Sequence, residues 1–238
     1  MPAADAGSAG HRAPLNAAFD DVPEQYDDLR AAGHMARRRL AFFSAVVGQT
    51  PGPVVELGCG TGTLLRQLAA AHPDRTFLGV EPLPNYVEFA RERAAALALD
   101  NVRFEAAPGE SFGQVVPEGS AGLVVSVDAL HHVVDLDRVV DQVFTATRGN
   151  GRWVAMEPNR VHPYVLAYHV LTHGERTFDA GDFLARARAR GWSLVRRRLM
   201  YTYPSGVSRV PAWAARLELR LEHHRLLAGA VVHDLVRP

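Results

Sequence analysis

Apolar residues recur along the chain in two alternating patterns, short continuous runs and longer stretches with helical spacing. Short runs are typical of strands that are covered on both faces, and helical spacing indicates amphipathic helices. The predicted strands are residues 54–57, 76–80, 102–104, 122–127, 152–156, 192–201 and 230–236. The predicted helices between or after them are residues 64–71, 86–99, 136–147, 179–190 and 211–227. This alternation predicts an α/β fold, a Rossmann-like, seven-stranded, mostly parallel sheet with helices on both faces.

Other stretches do not follow this alternation. Residues 1–18 are small and polar with no apolar period, which predicts a disordered tail. Residues 19–50 show helical spacing interrupted by Gly33, which predicts an N-terminal helical cap of two helices. The main domain is then expected to span residues 51–238.

Two connections within that domain are longer than a sheet requires, at about 158–176 and 202–228. Both contain aromatic and aliphatic residues. Long ordered connections commonly cover a site, so we expect these two segments to act as lids.

The charges narrow the range of functions. All 26 basic residues are arginine and they balance 26 acidic residues, so chemistry that requires a lysine is excluded. A net charge of zero does not favour a nucleic-acid partner, although residues 183–238 carry 11 arginines and 3 acids and leave an RNA-binding alternative open. A single cysteine and no signal-like or membrane-length apolar segment predict a cytoplasmic protein without a membrane span.

A glycine-rich turn joins the first predicted strand to the helix that follows it. Glycine occurs at positions 58, 60 and 62, while Thr63 occupies the position of the third glycine in a dinucleotide-binding turn. Glu56 stands beside this turn, which suits a cationic ligand better than a pyrophosphate. Glu81 ends the next strand, where a carboxylate can accept hydrogen bonds from ribose hydroxyls.

Four motifs, ELGCGTG, GVEP, ALHH and GRWVAMEPN, follow one another in this order from residue 56 to residue 159. Together they resemble the class I S-adenosylmethionine-dependent methyltransferases, in particular the small-molecule branch that is similar to methyltransferase type 11. The resemblance covers about residues 50–200 and implies S-adenosyl-L-methionine as the cofactor.

The resemblance also implies roles for single residues. Glu56 would face the ammonium region of the cofactor, Glu81 would hold the ribose hydroxyls, and Tyr26 and Arg30 would reach the carboxylate. The family usually places an acid near the adenine amino group, but this chain has Pro108 there, so that role falls to Glu110 or to a backbone carbonyl. The predicted cofactor-binding residues are Tyr26, Arg30, Glu56, Gly58, Cys59, Gly60, Glu81, Pro82, Gly109, Glu110, Asp128 and Ala129.

Two adjacent histidines follow the fourth predicted strand, at the edge where open α/β sheets bind ligands. Histidine can remove the proton of a phenol or an alcohol, so His132 and His131 are the candidate catalytic residues. The alternative is that both are structural or only border the cofactor. Cys59 is interpreted as a packing residue, not as a nucleophile.

Candidate substrate contacts come from the cap and from the first lid. They are His34, Arg160, Tyr164, Tyr168 and His169. His169 and His173 have the spacing of a metal-binding pair on a helix, but no third ligand is identifiable, so no metal is predicted.

The resulting hypothesis is methyl transfer to a small, partly apolar molecule, with O-methylation in secondary metabolism as the leading reaction. The alternatives are C- or N-methylation of a small molecule, an RNA methyltransferase, and a cofactor-binding, cyclase-like protein that transfers no methyl group. The expected partner is a small-molecule methyl acceptor. The oligomeric state stays open, with a homodimer as one candidate.

Overall fold

A computed structural model of the chain describes residues 23–171, 176–204 and 206–238. The predicted tail at 1–18 and the candidate ligand His173 lie outside the described residues. In the described part of the chain, seven strands form one sheet. They are β1 (Val54–Leu57), β2 (Phe77–Glu81), β3 (Val102–Ala106), β4 (Ala121–Val127), β5 (Thr147–Pro158), β6 (Ser193–Met200) and β7 (Ala230–Val236).

The strand order is β3-β2-β1-β4-β5-β7-β6. Strands β1 to β5 are parallel to one another, and β7 runs antiparallel to both β5 and β6. The prediction of a seven-stranded, mostly parallel sheet is therefore confirmed. Antiparallel β7 follows a connection that returns the chain along the sheet next to β5.

Eight α-helices occur in the same described ranges. They are α1 (Pro23–Ala31), α2 (Gly33–Gln49), α3 (Thr63–Ala71), α4 (Pro84–Ala96), α5 (Leu136–Ala146), α6 (Pro163–Leu171), α7 (Ala180–Arg190) and α8 (Ala212–Leu221). Short 3-10 helices at Gly109–Gln114 and Leu130–His132 follow β3 and β4. No helix in these ranges has both the length and the apolar character to cross a bilayer.

Helices cover both faces of the sheet because successive strand residues point to opposite sides. In β1, Val54 belongs to one core, which contains Phe43 of α2 and Leu65 of α3. Its neighbour Val55 belongs to the second core, which contains Val139 of α5. The two layers bury the central strands completely, so strand β4 has no exposed residue.

The boundary between α1 and α2 lies where the sequence predicted it. Gly33 has a φ of +91°, in the left-handed region that favours glycine, and α2 begins there. The helix predicted at 211–227 is shorter in the structure, because α8 ends at Leu221. Beyond its end, the side-chain amide of Asn159 donates to the carbonyls of Arg225 and Ala228 at 2.8 and 2.7 Å.

Ion pairs attach α8 to α2. His34 donates to Glu218 at 2.5 Å, and Arg38 contacts Glu218 at 3.0 Å. Arg38 also donates to Glu222 at 3.0 Å through its second nitrogen. These side chains are far apart in the sequence, as His34 and Glu218 are separated by 184 positions. No local sequence pattern predicts such contacts.

Candidate functional site

The glycine turn after β1 adopts a conformation that requires glycine. Gly58, Gly60 and Gly62 have φ values of +70°, +55° and +75°. A Cβ atom on Gly58 would lie 2.5 Å from the Cβ of Ala129, and one on Gly60 would lie 3.0 Å from the ring of Tyr26. The backbone of the turn is therefore approached closely by the segment after β4 on one side and by α1 on the other.

Two buried carboxylates flank this turn. Glu56 lies within β1, and its Oε2 atom has no hydrogen-bond partner among residues 23–171, 176–204 and 206–238. Burial raises the pKa of Glu56 to about 8, against the opposing effect of Arg30 and Arg39. Glu81 accepts hydrogen bonds from the backbone N–H groups of Gly60 at 2.9 Å and Leu83 at 3.2 Å.

Burial also raises the pKa of Glu81, to about 7, although its two backbone hydrogen bonds act in the opposite direction. A ligand that brings positive charge to Glu56, or hydroxyl donors to Glu81, would favour the ionised forms. The two acids are therefore electrostatically suited to a cationic ligand that also carries hydroxyl groups.

Helix α1 covers the turn. Arg30 donates to Asp128 at 2.8 Å, and Asp128 follows β4 with a φ of +52°. Burial alone would raise the pKa of Asp128, but Arg30 and Arg39 hold it below its ordinary value, so this carboxylate is charged. Arg30 thereby joins α1 to the segment after β4, and the role predicted for Tyr26 and Arg30 at the cofactor carboxylate stays a prediction.

Asp27 holds α1 in this position, and the sequence analysis did not identify it. Its Oδ1 accepts from the hydroxyl of Thr61 at 2.9 Å and from the hydroxyl of Thr63. Arg66 donates to both of its oxygens, at 2.8 and 2.9 Å. Thr63, which replaces the glycine of a dinucleotide turn, thus anchors the cap. Only this substitution could have pointed to the contact from the sequence.

The predicted adenine-binding segment lies after β3. Gly109 is buried at the start of a 3-10 helix. The Glu110 carboxylate accepts from the backbone N–H groups of Val134 at 2.8 Å and Asp135 at 3.1 Å. Both bonds use Oε1, so they attach Glu110 to the segment before α5 and leave its Oε2 atom and the nearby backbone carbonyls as the candidates for the adenine amino group. Pro82 directly follows Glu81 at the end of β2.

A histidine cluster lies at the carboxyl edge of the sheet. The ring of His131 is 4.0 Å from the ring of His132 and 5.5 Å from that of His169, centroid to centroid. The Nδ1 atom of His131 lies 2.7 Å from Oε2 of Glu157. Helix α6 of the first lid therefore brings His169 to the two candidate catalytic residues.

Glu157 is a site residue that the sequence analysis missed. It is completely buried near the end of β5, and its Oε1 accepts from the backbone N–H groups of Ala129 at 3.0 Å and Leu130 at 2.8 Å. Both backbone groups donate to Oε1, so Oε2 is left to accept from Nδ1–H of His131 in the tautomer that carries its proton there. The sequence offered one indication of this role, since Glu157 belongs to the GRWVAMEPN motif, which covers the strand after the one that leads to the histidines.

The other predicted substrate residues are not brought to the turn. His34 is buried between α2 and α8 and donates to Glu218, as described above. Arg160 pairs with Asp179 at 2.8 Å, and both side chains are nearly half exposed. Tyr164 and Tyr168 stack on each other at 6.4 Å on the exposed side of α6.

A pocket opens between α1, α2 and the glycine turn. Five of the predicted cofactor residues line it, together with Arg39, which the sequence analysis did not identify. The lining residues are Tyr26, Arg30, Ala36, Arg39, Glu56, Gly58, Cys59, Thr63, Leu64, Gln67 and Val127. Cys59 is buried, and burial raises its thiol pKa well above the ordinary value, so it is not a thiolate. In the described residues, no group of three His, Cys, Asp or Glu side chains could hold a metal ion.

These features suit S-adenosylmethionine. The turn allows close approach, Glu56 has an unsatisfied buried oxygen in the described part of the chain, and Glu81 lies at the next strand end. A ligand that carries an ammonium, a sulfonium and two ribose hydroxyls would satisfy both acids.

Comparisons with known proteins agree with this geometry. A family model described as a methyltransferase domain matches residues 51–181. The trans-aconitate 2-methyltransferase of Rhodococcus jostii (strain RHA1) is 30% identical over 135 residues, which cover 57% of this chain and 48% of that protein. The trans-aconitate 2-methyltransferase of Deinococcus radiodurans is 29% identical over 177 residues, covering 73% of this chain and 63% of that protein. The chain therefore spans about half to less than two thirds of the length of these curated relatives.

One solved structure extends the likeness to most of the chain. A methyltransferase of Thermotoga maritima, described as a possible histamine N-methyltransferase, aligns with a TM-score of 0.67 and 18% identity. The alignment covers 94% of this chain and 99% of that one, and at this identity it supports the fold alone. Because the family model matches more than half of its length, this chain belongs to the methyltransferase domain family, within the class I S-adenosylmethionine-dependent methyltransferases.

Proposed function

We propose that this protein transfers a methyl group from S-adenosylmethionine to an oxygen atom of a small, partly apolar molecule of secondary metabolism. The observation that carries the proposal is the buried pair of His131 and Glu157, whose Nδ1 and Oε2 atoms are 2.7 Å apart. His131 belongs to the short segment after Ala129, which lies against the glycine turn. A histidine beside a buried carboxylate at this edge of the sheet can accept a proton from a hydroxyl group.

In this proposal the residues around the turn hold the cofactor. Glu56 faces the ammonium region and Glu81 accepts from the ribose hydroxyls. Gly58 and Gly60 allow the methionine part to lie against the backbone, while Cys59 packs beneath it. The remaining cofactor contacts that we propose are Tyr26, Arg30, Pro82, Gly109, Asp128 and Ala129.

S-adenosylmethionine supplies a methyl group on a sulfonium, and in the transfer a C–O bond forms while the C–S bond breaks with its electron pair moving to sulfur. Our proposal gives the proton of the acceptor hydroxyl to Nε2 of His131. Glu157 supports this step in two ways, because it fixes the tautomer through Nδ1–H and stabilises the imidazolium that results. Asp128 and Ala129 border the transferred methyl group. His132 and His169 pack against the base and limit its rotation.

The character of the first lid supports a partly apolar acceptor. Helix α6 carries five exposed apolar or aromatic side chains, which are Tyr164, Leu166, Tyr168, Val170 and Leu171. Such a surface next to the histidine cluster suits a bulky organic molecule better than a highly charged one. The names of the two relatives, both trans-aconitate 2-methyltransferases, also favour a small-molecule acceptor.

Labelled cofactor distinguishes the acceptor classes. The protein is incubated with methyl-labelled S-adenosylmethionine and either total RNA or a small-molecule extract. We expect label in the small-molecule fraction, in a product whose new methyl group is attached to oxygen. Label in RNA alone would contradict the proposal, and binding of the cofactor without any transfer would favour the cyclase-like alternative.

Histidine variants test the base once an acceptor is found. We expect His131→Ala to lower kcat by about 100-fold or more, the usual contribution of a general base, with cofactor affinity nearly intact. His132→Ala should have a smaller effect, and His223→Ala on the exposed segment after α8 is the matched control. An unchanged rate in both His131→Ala and His132→Ala would remove the base from the mechanism and leave alignment of the acceptor as the main catalytic factor.

Glu157→Gln tests the positioning role. The loss of its charge should lower the pKa of His131, so the acid limb of the profile of kcat/KM against pH should move to lower pH. A merely structural role of Glu157 would reduce the amount of folded protein without moving that limb.

A further inference from the structure

Helix α8 has its acidic and apolar sides reversed relative to an ordinary surface helix. Surface helices usually turn an apolar stripe to the core and charged residues to the solvent. In α8 the buried residues are Ala214 and Glu218, and Glu222 directly after the helix is buried as well. Trp213 and Leu217 are instead 69% and 42% exposed. The large apolar side chains of this helix therefore meet the solvent, while its acids face the protein.

The exposed side chains form one stripe, which we call the outer face of α8. It consists of Trp213, Arg216, Leu217 and Arg220, all of which are exposed. Their spacing of i, i+3, i+4 and i+7 places them on the same side of a helix. The outer face thus combines two large apolar side chains with two cations.

The turn after the helix continues this composition. Arg225, Leu226 and Leu227 are exposed, the two leucines by 62% and 40%. Arg225 also lies close enough to Arg197 of β6 to lower the pKa of that guanidinium, after the larger effect of burial. Positive charge therefore extends from α8 to the strand at the end of the sheet.

The exposed charges of this segment all have one sign. Within residues 206–229 the acids are Glu218 and Glu222, and both are buried and ion-paired to α2. Arg37 of α2 is exposed and donates to the carbonyl of Ser208 at 2.7 Å, which adds a positive charge beside the segment. The arginines of residues 206–229 are all exposed, and they are Arg209, Arg216, Arg220 and Arg225.

We propose that the outer face of α8 and the turn after it dock on the surface of a bilayer that contains anionic lipids. The indole of Trp213 suits the boundary between headgroups and acyl chains, into which the leucines would also insert. The arginines would meet the lipid phosphates, and the negative potential of an anionic leaflet attracts them. This surface lies outside the cofactor site, and the inference does not rest on methyl transfer.

Two other occupants fit this surface less well. A second copy of the chain, related by a two-fold axis, would bring the same patch against itself, so Arg216 and Arg220 would approach the identical arginines of the partner. RNA would satisfy the arginines and could stack on Trp213, but it would leave the exposed leucines uncovered. An anionic bilayer matches both the charged and the aliphatic side chains.

Tryptophan fluorescence reports directly on the proposed contact. The chain has three tryptophans, and Trp153 and Trp192 are only 0% and 2% exposed, so Trp213 is the one that meets the solvent. Vesicles of phosphatidylcholine and phosphatidylglycerol, added to the full chain at low salt, should shift the emission to shorter wavelength and protect it from acrylamide. Vesicles of phosphatidylcholine alone should bind much more weakly, and added salt should release the protein because it screens the surface charge.

Co-sedimentation with the anionic vesicles measures the contribution of each part of the surface. The double variant Arg216→Gln/Arg220→Gln should weaken binding by about 25-fold, because each arginine near a charged membrane contributes about fivefold. Trp213→Ala should weaken it by about 10-fold through the loss of buried apolar area.

Matched controls lie at the other edge of the sheet, on and beside α4 and β3. Arg93→Gln/Arg103→Gln removes two exposed arginines there, and Leu97→Ala removes an apolar side chain that is 62% exposed. Both controls should bind the vesicles as the unmodified protein does. Each substituted side chain is exposed, so all four variants should also unfold at the temperature of the unmodified protein.

The proposal is overturned if the protein does not bind the anionic vesicles, if neutral vesicles bind it equally well, or if Trp213→Ala binds as tightly as the unmodified protein. A dimer in analytical ultracentrifugation that dissociates in Trp213→Ala, without any emission shift on addition of vesicles, would assign the surface to a second copy instead. Total RNA that binds more tightly than the vesicles and displaces them would assign it to a nucleic acid, which also contradicts the proposal.

Discussion

Two pairs of buried glutamates in this protein have opposite surroundings. Glu218 and Glu222 on and beside α8 are surrounded by donors. Glu218 accepts from His34 and from the backbone of Thr202 at 3.1 Å, and Glu222 accepts from Arg38 and from the backbone of Tyr201 at 2.6 Å. Burial alone would raise the pKa of Glu218, but the hydrogen bonds from His34 and Thr202 and the charge of Arg38 hold it below its ordinary value.

Glu56 and Glu81 beside the glycine turn are equally buried, yet their pKa values are raised to about 8 and about 7. Burial therefore does not separate the acids that join two helices from the acids that we propose bind the cofactor. The two pairs differ in the hydrogen-bond donors and positive charges that surround each carboxylate. A buried acid with enough partners holds two helices together, whereas a buried acid with too few marks the place where a ligand supplies the missing charge or hydroxyl groups.

The largest expected effect is on stability. Glu218→Ala should lower the free energy of unfolding by about 3 kcal/mol, because breaking a buried ion pair leaves His34 without its partner and Arg38 with Glu222 alone. For a chain of this size that is a fall in unfolding temperature of roughly 6 to 12 °C. Glu56→Gln should leave the stability unchanged or raise it. Thermal unfolding of both variants checks this, and equal losses would show that the two pairs do not differ.

The next effect is on binding. Glu81→Ala should weaken S-adenosylhomocysteine by about 1 to 3 kcal/mol, because the ribose hydroxyls would lose their buried acceptor. Glu105→Ala, on the exposed side of neighbouring β3, is the control. Calorimetry measures both affinities. Unchanged binding in Glu81→Ala would mean that this carboxylate serves only the backbone of Gly60 and Leu83.

The same contrast explains how much the sequence could predict. Continuous stretches of the sequence reveal the strands, the helices and their order. They also reveal the two acids beside the turn, because Glu56 precedes the glycine spacing and Glu81 ends the next strand. The contacts of Asp27 with Arg66 and of His34 with Glu218 join residues 39 and 184 positions apart. No period or spacing relates such residues, because their meeting depends on how α1 and α8 pack on the finished sheet.

Arg39 and Glu157 illustrate a second limit. Arg39 stands in a row of three arginines, and the sequence does not reveal that the first is exposed, the second paired and the third buried at the pocket. Only the rotation of α2 against the turn separates them. Glu157 was visible as part of a motif, but its contacts depend on the register between β5 and β4, in which Met156, the residue before it, pairs with Val127 at the end of β4.

A smaller effect concerns protons released on binding. With pKa values of about 8 and about 7, Glu56 is mostly protonated at pH 7 and Glu81 is close to its midpoint before the ligand binds. A cationic cofactor favours the ionised forms, so binding near pH 7 should release protons, and affinity should rise as the pH increases from 6 to 8. Calorimetry in two buffers with different ionisation enthalpies measures the number released. Glu56→Gln should reduce it, and an equal number in both proteins would assign the release to another group.

The smallest expected effect concerns how stability changes with pH, because the two pairs of glutamates should contribute slopes of opposite sign. The raised pKa values of Glu56 and Glu81 mean that the folded protein retains protons that the unfolded chain loses near pH 4.5, so their contribution to stability falls as the pH rises through 7 and 8. The lowered pKa of Glu218 acts in the opposite direction, since its contribution is present above pH 4.5 and is lost as the pH falls through the folded value. Urea unfolding between about pH 3 and pH 8, without cofactor, measures both slopes, which for one proton cannot exceed about 1.4 kcal/mol per pH unit. Glu56→Gln should flatten the slope on the alkaline side and Glu218→Gln the slope on the acid side. If Glu218→Gln flattened the alkaline side instead, the assignment of a paired acid to α8 would be wrong.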